Sequence, residues 1–240
     1  MPQAHVLVRP PQAWVTGSSS GIGAAIAQRL LHAGWAVQGW DRAAPTLGHA
    51  RFSAHSVDLA DAASTEALLL QQLVHGPPDA LVHAAGVMRA APLGDLSAED
   101  GELLWQLHVQ AATRLANVVL PAMAQRGHGR CVLIGSRVWR GLAGRSQYAA
   151  TKAALVSLAR SWAAEVVDRG VTVNVVSPAA TDTPMLRDGR RADTAPRLPP
   201  IGRLIQPEEV AALVVFLLSP EAAAITGQDI AVCGGASLPR

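Results

Sequence analysis

Tyr148 and Lys152, in the run Tyr148-Ala-Ala-Thr-Lys152, carry the sharpest chemical signal in this 240-residue chain. They lie at the start of a helical stretch, and positions four apart share a helix face, so both side chains point the same way. A free phenol has a pKa near ~10, too high for efficient acid or base work at neutral pH. A neighbouring ammonium favours the phenolate. Ser136 ends an apolar strand-like run ahead of the pair and is placed to donate a hydrogen bond to a substrate oxygen. Together the three side chains describe proton transfer at an alcohol or carbonyl oxygen. Alone, Tyr-x-x-x-Lys is a common spacing, and its bland reading is a surface pair on a helix.

A second cluster sharpens the first. Thr16-Gly17-Ser18-Ser19-Ser20-Gly21-Ile22-Gly23 stands between an apolar run, Ala13 to Thr16, and a helical pattern. Glycines there let the backbone turn tightly and approach a pyrophosphate resting at a helix N-terminus. The spacing is G-x-x-x-G-x-G rather than G-x-G-x-x-G, and a mere tight turn is the alternative. Asp41 follows Trp40 at the end of the next strand-like run. A carboxylate there accepts hydrogen bonds from adenosine ribose hydroxyls and repels a 2′-phosphate. Ser20 stands where a basic residue could meet that phosphate, which points to NAD rather than NADP, although Arg42 could reach it. The bland reading of Asp41 is an exposed loop carboxylate.

Strand and helix signals alternate along the chain and must position these groups. Strands are predicted at 13–16, 36–40, 53–57, 80–83, 130–136, 171–176 and 230–232. Helices are predicted at 21–33, 62–74, 99–123 and 147–169, with a further one opening at Pro207, a residue favoured in a first helical turn. This alternation implies an α/β fold: a doubly wound, parallel, seven-stranded, Rossmann-like sheet with helices on both faces. One domain is expected over 12–240, after an N-terminal extension at 1–11. The irregular stretch at 181–205 is expected to form a substrate lid.

Half the residues are hydrophobic and the formal charge is +2, without basic runs or interleaved aromatics, so no nucleic acid is expected. The longest apolar run, Val210 to Leu218, is about half of the ~20 residues that span a bilayer. No signal-peptide pattern opens the chain, and a cytoplasmic protein without membrane contact is expected. Cys131 and Cys233 read as buried thiols, and no Cys/His spacing suggests a metal.

The chain resembles the short-chain dehydrogenase/reductase family from about Gln12 to Leu238. The resemblance rests on the glycine turn, Asp58-Leu59, His83-Ala-Ala-Gly86, Ser136, Tyr148-x-x-x-Lys152, Asn174-x-x-x-Pro178, Thr183-Pro-Met185, Pro207-Glu-Glu-Val, Thr226-Gly-Gln and Gly234-Gly235. It implies Tyr148 as general acid/base, Lys152 as ligand of the nicotinamide ribose and tuner of the tyrosine, and Ser136 as the group that orients the carbonyl. Gly17, Ser19, Ser20, Gly21, Ile22, Gly23, Asp41 and Arg42 would bind the cofactor. Asp58 and Leu59 would edge the adenine pocket, Ala84, Ala85 and Gly86 would border the cofactor, and Pro178, Ala179, Thr181 and Thr183 would hold the carboxamide. The resemblance also implies a homotetramer built through the two long helices.

Three positions depart from the family pattern. His108 stands where the family carries Asn, and is expected to take over a proton relay from the lysine, with a packing histidine as the alternative. His83 opens the motif that normally begins with Asn, and is expected to tie strands together. Ala179 replaces a glycine, at an expected small cost. By the resemblance, substrate would meet Met88, Trp139, Gln147 and Met185, near Arg89, Arg137 and Arg140. A small alcohol or ketone with an apolar or ring-bearing body is expected. The reading is hydride transfer between a nicotinamide cofactor and a secondary alcohol or ketone. The alternatives are an NADPH-linked 3-oxoacyl-thioester reductase and a non-catalytic dinucleotide sensor.

Overall fold

The computed structural model describes residues 9–187 and 198–239. Seven parallel strands form one sheet in the order β3-β2-β1-β4-β5-β6-β7: β1 Gln12–Thr16, β2 Ala36–Asp41, β3 Phe52–Ser56, β4 Ala80–His83, β5 Gly129–Ile134, β6 Val171–Pro178 and β7 Asp229–Val232. The helices are α1 Gly21–His32, α2 Ala62–Leu73, α3 Ala98–Trp105, α4 Ala111–Arg126, α5 Ser146–Val166 and α6 Pro207–Leu218. The strand order reverses beside β1, where β2 and β4 flank it. Ligands bind at such a switch point in open α/β sheets.

The period-two alternation of the strands divides the core in two. Trp14, Leu81, Cys131, Leu133 and Val173 pack with Leu115, Val119, Leu155 and Ala159 of α4 and α5 on one face. Ala13, Val15, Val82, Val132 and Ile134 pack with Ile26 and Leu30 of α1 and Val210, Val214 and Leu217 of α6 on the other. Successive side chains leave a strand on opposite sides, so one run such as Ala13-Trp14-Val15 serves both layers. This is the doubly wound architecture that the alternation implies.

Strand and helix ends move by up to three residues from the predicted ones, with one larger difference. The long central helix is three elements: α3, a π-turn at Gln106–Gln110, and α4. Helical periodicity cannot register a single wider turn, because the apolar stripe continues through it. Outside the sheet, Thr181 bridges Ile205 in parallel, so the two ends of the expected lid are held together. Residues 188–197 of that lid, and 1–8 of the N-terminal extension, lie outside the described residues. No helix among the described residues is long and apolar enough to cross a membrane. Both cysteines are free: Cys131 is buried and Cys233 partly so.

Candidate active site

The glycine turn closes β1 onto α1 with little tolerance. A Cβ on Gly23 would lie 2.1 Å from the Gly17 carbonyl oxygen, and one on Gly17 would lie 2.8 Å from the Ala85 backbone. Gly17 and Gly21 take φ of 68° and 52°, the left-handed region that glycine enters freely. The first turn of α1 carries no acidic residue and no side-chain cap, which leaves its N–H groups available to an anion. A pyrophosphate fits this turn.

Asp41 is held at the end of β2. Its Oδ2 accepts from the Ser19 amide and its Oδ1 from the Ala43 amide, both at 2.9 Å. Ser19 is buried, and its hydroxyl donates to the Ala43 carbonyl, so it tightens the turn and does not itself line the cavity. Asp58 accepts from the Ala60 amide at 3.0 Å and shares the cavity wall with Val57 and Leu59.

A cavity of about 820 Å³ runs over the C-terminal ends of the strands, within the ~300–1,000 Å³ usual for ligand sites. Its wall contains Gly17, Ser20, Gly21, Ile22, Gly23, Asp41 and Arg42 at one end. Asp58, Leu59, Ala84, Ala85 and Gly86 follow. Ser136, Tyr148, Lys152, His108, Pro178, Ala179, Thr181 and Thr183 surround the other end. Groups predicted from separate motifs, far apart in sequence, thus face one space. Among the described residues no group of His, Cys, Asp or Glu could hold a metal.

Tyr148 and Lys152 are 6% and 4% exposed, one turn apart on α5. The Lys152 ammonium sits 5.6 Å from the centre of the Tyr148 ring and donates to the Ile134 carbonyl at 2.9 Å. Burial without a carboxylate partner pushes its pKa from 10.5 down to about 7. Ser136 follows β5, where its extended backbone starts a short turn at Arg137–Arg140. Its hydroxyl accepts a long 3.5 Å contact from the Val138 amide.

Two buried histidines complete the surroundings, and hydrogen-bond accounting assigns their protons. The Thr16 hydroxyl oxygen accepts from the Ala84 and Ala85 amides at 3.0 and 3.1 Å. Its own proton is therefore directed to His83 Nδ1, 3.0 Å away. His83 thus ties β1 to β4 with its other proton on Nε2. Among the described residues, that buried atom has no partner at full hydrogen-bond geometry. The neighbouring Leu107 and His108 backbone favours the proton on the ring.

His108 stands on the π-turn. Its Nε2 accepts from the Val87 amide at 3.1 Å, so Nδ1 carries the proton and donates to the Thr151 hydroxyl at 2.9 Å. Thr151 in turn donates to the Tyr148 carbonyl at 2.8 Å. Burial, then the Lys152 charge, lowers His83 to about 3 and holds His108 well below its ordinary range. Both rings are neutral at pH 7. The edge of His108 meets the Tyr148 ring at a centroid distance of 5.6 Å. Both of its nitrogens are thus bonded inside the protein.

The substrate end differs in part from the sequence reading. Met88 and Met185 line it. Trp139 and Gln147 do not. The Trp139 indole donates to Asp229 at 2.6 Å, a buried N–H finding its partner. Gln147 donates to the Ser97 carbonyl at 2.9 Å, because it lies about 100° around α5 from Tyr148. Arg89 pairs with Asp100 at 3.0 Å and Arg140 stacks on Trp139; neither faces the cavity. Arg145, Leu142 and Ala236 do face it. Arg145, three residues before Tyr148, was legible from that spacing but is ambiguous with a solvated helix-start arginine.

Comparison with known proteins agrees with this geometry. The family described as Enoyl-(Acyl carrier protein) reductase matches residues 17–237. The 3-oxoacyl-(acyl-carrier-protein) reductase FabG of Escherichia coli K12 is 38% identical, over 93% of this chain and 96% of its own. The 2,3-dihydro-2,3-dihydroxybenzoate dehydrogenase of the same organism is 36% identical over 94% and 96%. Among solved structures, a variant of actinorhodin polyketide ketoreductase with NADPH superposes with a TM-score of 0.85 at 30% identity, covering 96% of this chain and 98% of that one. The chain is therefore an oxidoreductase that belongs to the short-chain dehydrogenase/reductase family.

Proposed function

We propose that this chain interconverts a small secondary alcohol and its ketone, with NAD(H) in preference to NADP(H). The observation that carries the reaction is the convergence of Ser136, Tyr148 and Lys152 on the cavity that the glycine turn opens. A bound nicotinamide would supply the hydride acceptor or donor for the substrate carbon, held by the cavity wall that the glycine turn opens. Ser136 donates to the substrate oxygen. In oxidation Tyr148 takes the hydroxyl proton, and in reduction it gives that proton back. Lys152 holds the nicotinamide ribose and favours the phenolate. His108 acts as a positioning residue: through Thr151 it braces the Tyr148 backbone, and through Val87 it braces the wall after β4. A cytoplasmic homotetramer is part of the same reading.

Asp41 supports NAD. Its carboxylate is fixed beside the turn, where it accepts from ribose hydroxyls and repels a phosphate. A second reading is an NADPH-linked 3-oxoacyl-thioester reductase. It is favoured by Arg42, which lines the cavity and has no ion pair among the described residues, and by the relatives' names. NADH and NADPH binding, read by nicotinamide fluorescence, separates the two. Asp41→Asn can keep one of the amide bonds while removing the charge. Wild type is expected to prefer NADH and Asp41→Asn to lose that preference. Preference of wild type for NADPH, abolished by Arg42→Gln, refutes the NAD reading.

A further inference from the structure

The substrate end of the cavity is apolar except for a few groups. Met88, Val138, Leu142, Met185 and Leu186 form its body. Among the described residues, the acidic side chains on the whole cavity wall are Asp41 and Asp58, both at the adenosine end. The cations at the substrate end, Lys152 aside, are Arg137 and Arg145.

Arg137 already donates to the Ala236 carbonyl at 3.3 Å. Arg145 is half-buried, and its guanidinium makes a 3.7 Å contact from Nη1 to the Met88 sulfur. A thioether is a weak acceptor, and a guanidinium has five donors to satisfy. No carboxylate among the described residues pairs with it. Arg145 also caps the N-terminus of α5, whose first turn carries no acidic residue, so the local potential stays positive.

We infer that Arg145 receives a carboxylate of the substrate, so that the proposed alcohol or ketone is a small hydroxy or oxo acid with an apolar body. Arg145 stands three residues before Tyr148, as the N-cap of the helix that carries it, and both line the same cavity. An anion held by Arg145 and a carbon reacting at Tyr148 would share this one cavity, and so can belong to one molecule. The apolar wall accepts the carbon frame between them. The inference rests on the proposed reaction for its reacting carbon, but the anion site can be tested without turnover.

The experiment has two arms on the full chain. In the first, wild type, Arg145→Gln and Arg145→Lys are assayed for reduction of 3-oxocyclohexanecarboxylate, its methyl ester, cyclohexanone and S-acetoacetyl-N-acetylcysteamine, with NADH and with NADPH. A charge-assisted pair should favour the acid over its ester in kcat/KM by roughly 10–100-fold. Arg145→Gln should bring that ratio near one, and Arg145→Lys should restore part of it. In the second arm, calorimetry measures binding of cyclohexanecarboxylate against cyclohexanecarboxamide in the presence of NAD⁺, with circular dichroism and cofactor binding as folding controls. The acid should bind more tightly to wild type, and Arg145→Gln should lose that difference. Preference for the ester, cyclohexanone or thioester, or an acid preference that survives Arg145→Gln, overturns the inference and leaves the alcohol/ketone reading standing. Arg145-dependent acid binding with no turnover of any ketone keeps the anion site and overturns the reaction.

Discussion

Lys152 is the only lysine of the chain, and its burial makes a stability prediction that one signal can read. The amine is 4% exposed, bonded to the Ile134 carbonyl, and has a pKa lowered by burial from 10.5 to about 7. Because the folded value lies below the unfolded one, the unfolded chain holds the extra proton between about pH 7 and 10.5. Stability therefore rises with pH across that window and levels off on either side. At ~1.4 kcal/mol per tenfold change in proton affinity, the charge costs the folded state up to about 5 kcal/mol below pH 7. Lys152→Met keeps the length and removes the charge. The variant is expected to lose turnover yet to unfold at higher urea than wild type at pH 6. That gap should narrow steadily toward pH 9.5. In lysine-only ¹³C labelling, the Cε resonance of wild type belongs to Lys152 alone and should titrate near pH 7. A midpoint above pH 9.5, or a Lys152→Met variant less stable than wild type at pH 6, refutes the account of a charge buried for function at the expense of stability.

Tyr148→Phe should lower kcat by roughly 10²–10⁴-fold, the usual contribution of a positioned acid or base, while NADH binding by fluorescence stays within a few-fold. His108→Phe strands the Val87 amide and removes the donor to Thr151, whose hydroxyl keeps its bond to the Tyr148 carbonyl; at ~1–3 kcal/mol per unsatisfied buried group, chemical denaturation should register a clear loss of stability. Its pH–rate profile should keep the wild-type shape, and a displaced limb would reinstate the relay. Gly23→Ala places a Cβ 2.1 Å from the Gly17 oxygen, so the turn must open; cofactor binding should be lost by fluorescence titration, and binding at wild-type strength would show that the turn can adapt.

The features legible in the sequence are those that short stretches determine by themselves. The glycine turn needs left-handed backbone at Gly17 and Gly21 within one loop. The pairing of Tyr148 with Lys152 follows from four positions on one helix. The seven strands follow from alternating apolar runs, and their parallel order from the helices between them. Even His83, an unusual residue for its motif, sits in register with Thr16 across β4 and β1 and makes the strand tie expected of it.

What only the tertiary structure decided lies across elements. The π-turn rotates His108 into the gap between Val87 and Thr151, and no periodicity in its own helix announces that. Trp139 and Gln147 leave the cavity because Asp229 and Ser97, 90 and 50 residues away, offer better partners. Arg145 enters it among apolar side chains brought from other parts of the chain. The physical reason is range: backbone propensity and side-chain period act over a few residues. The side chain that satisfies a buried donor, and the one left facing a cavity, depend on neighbours supplied by sheet order and helix packing.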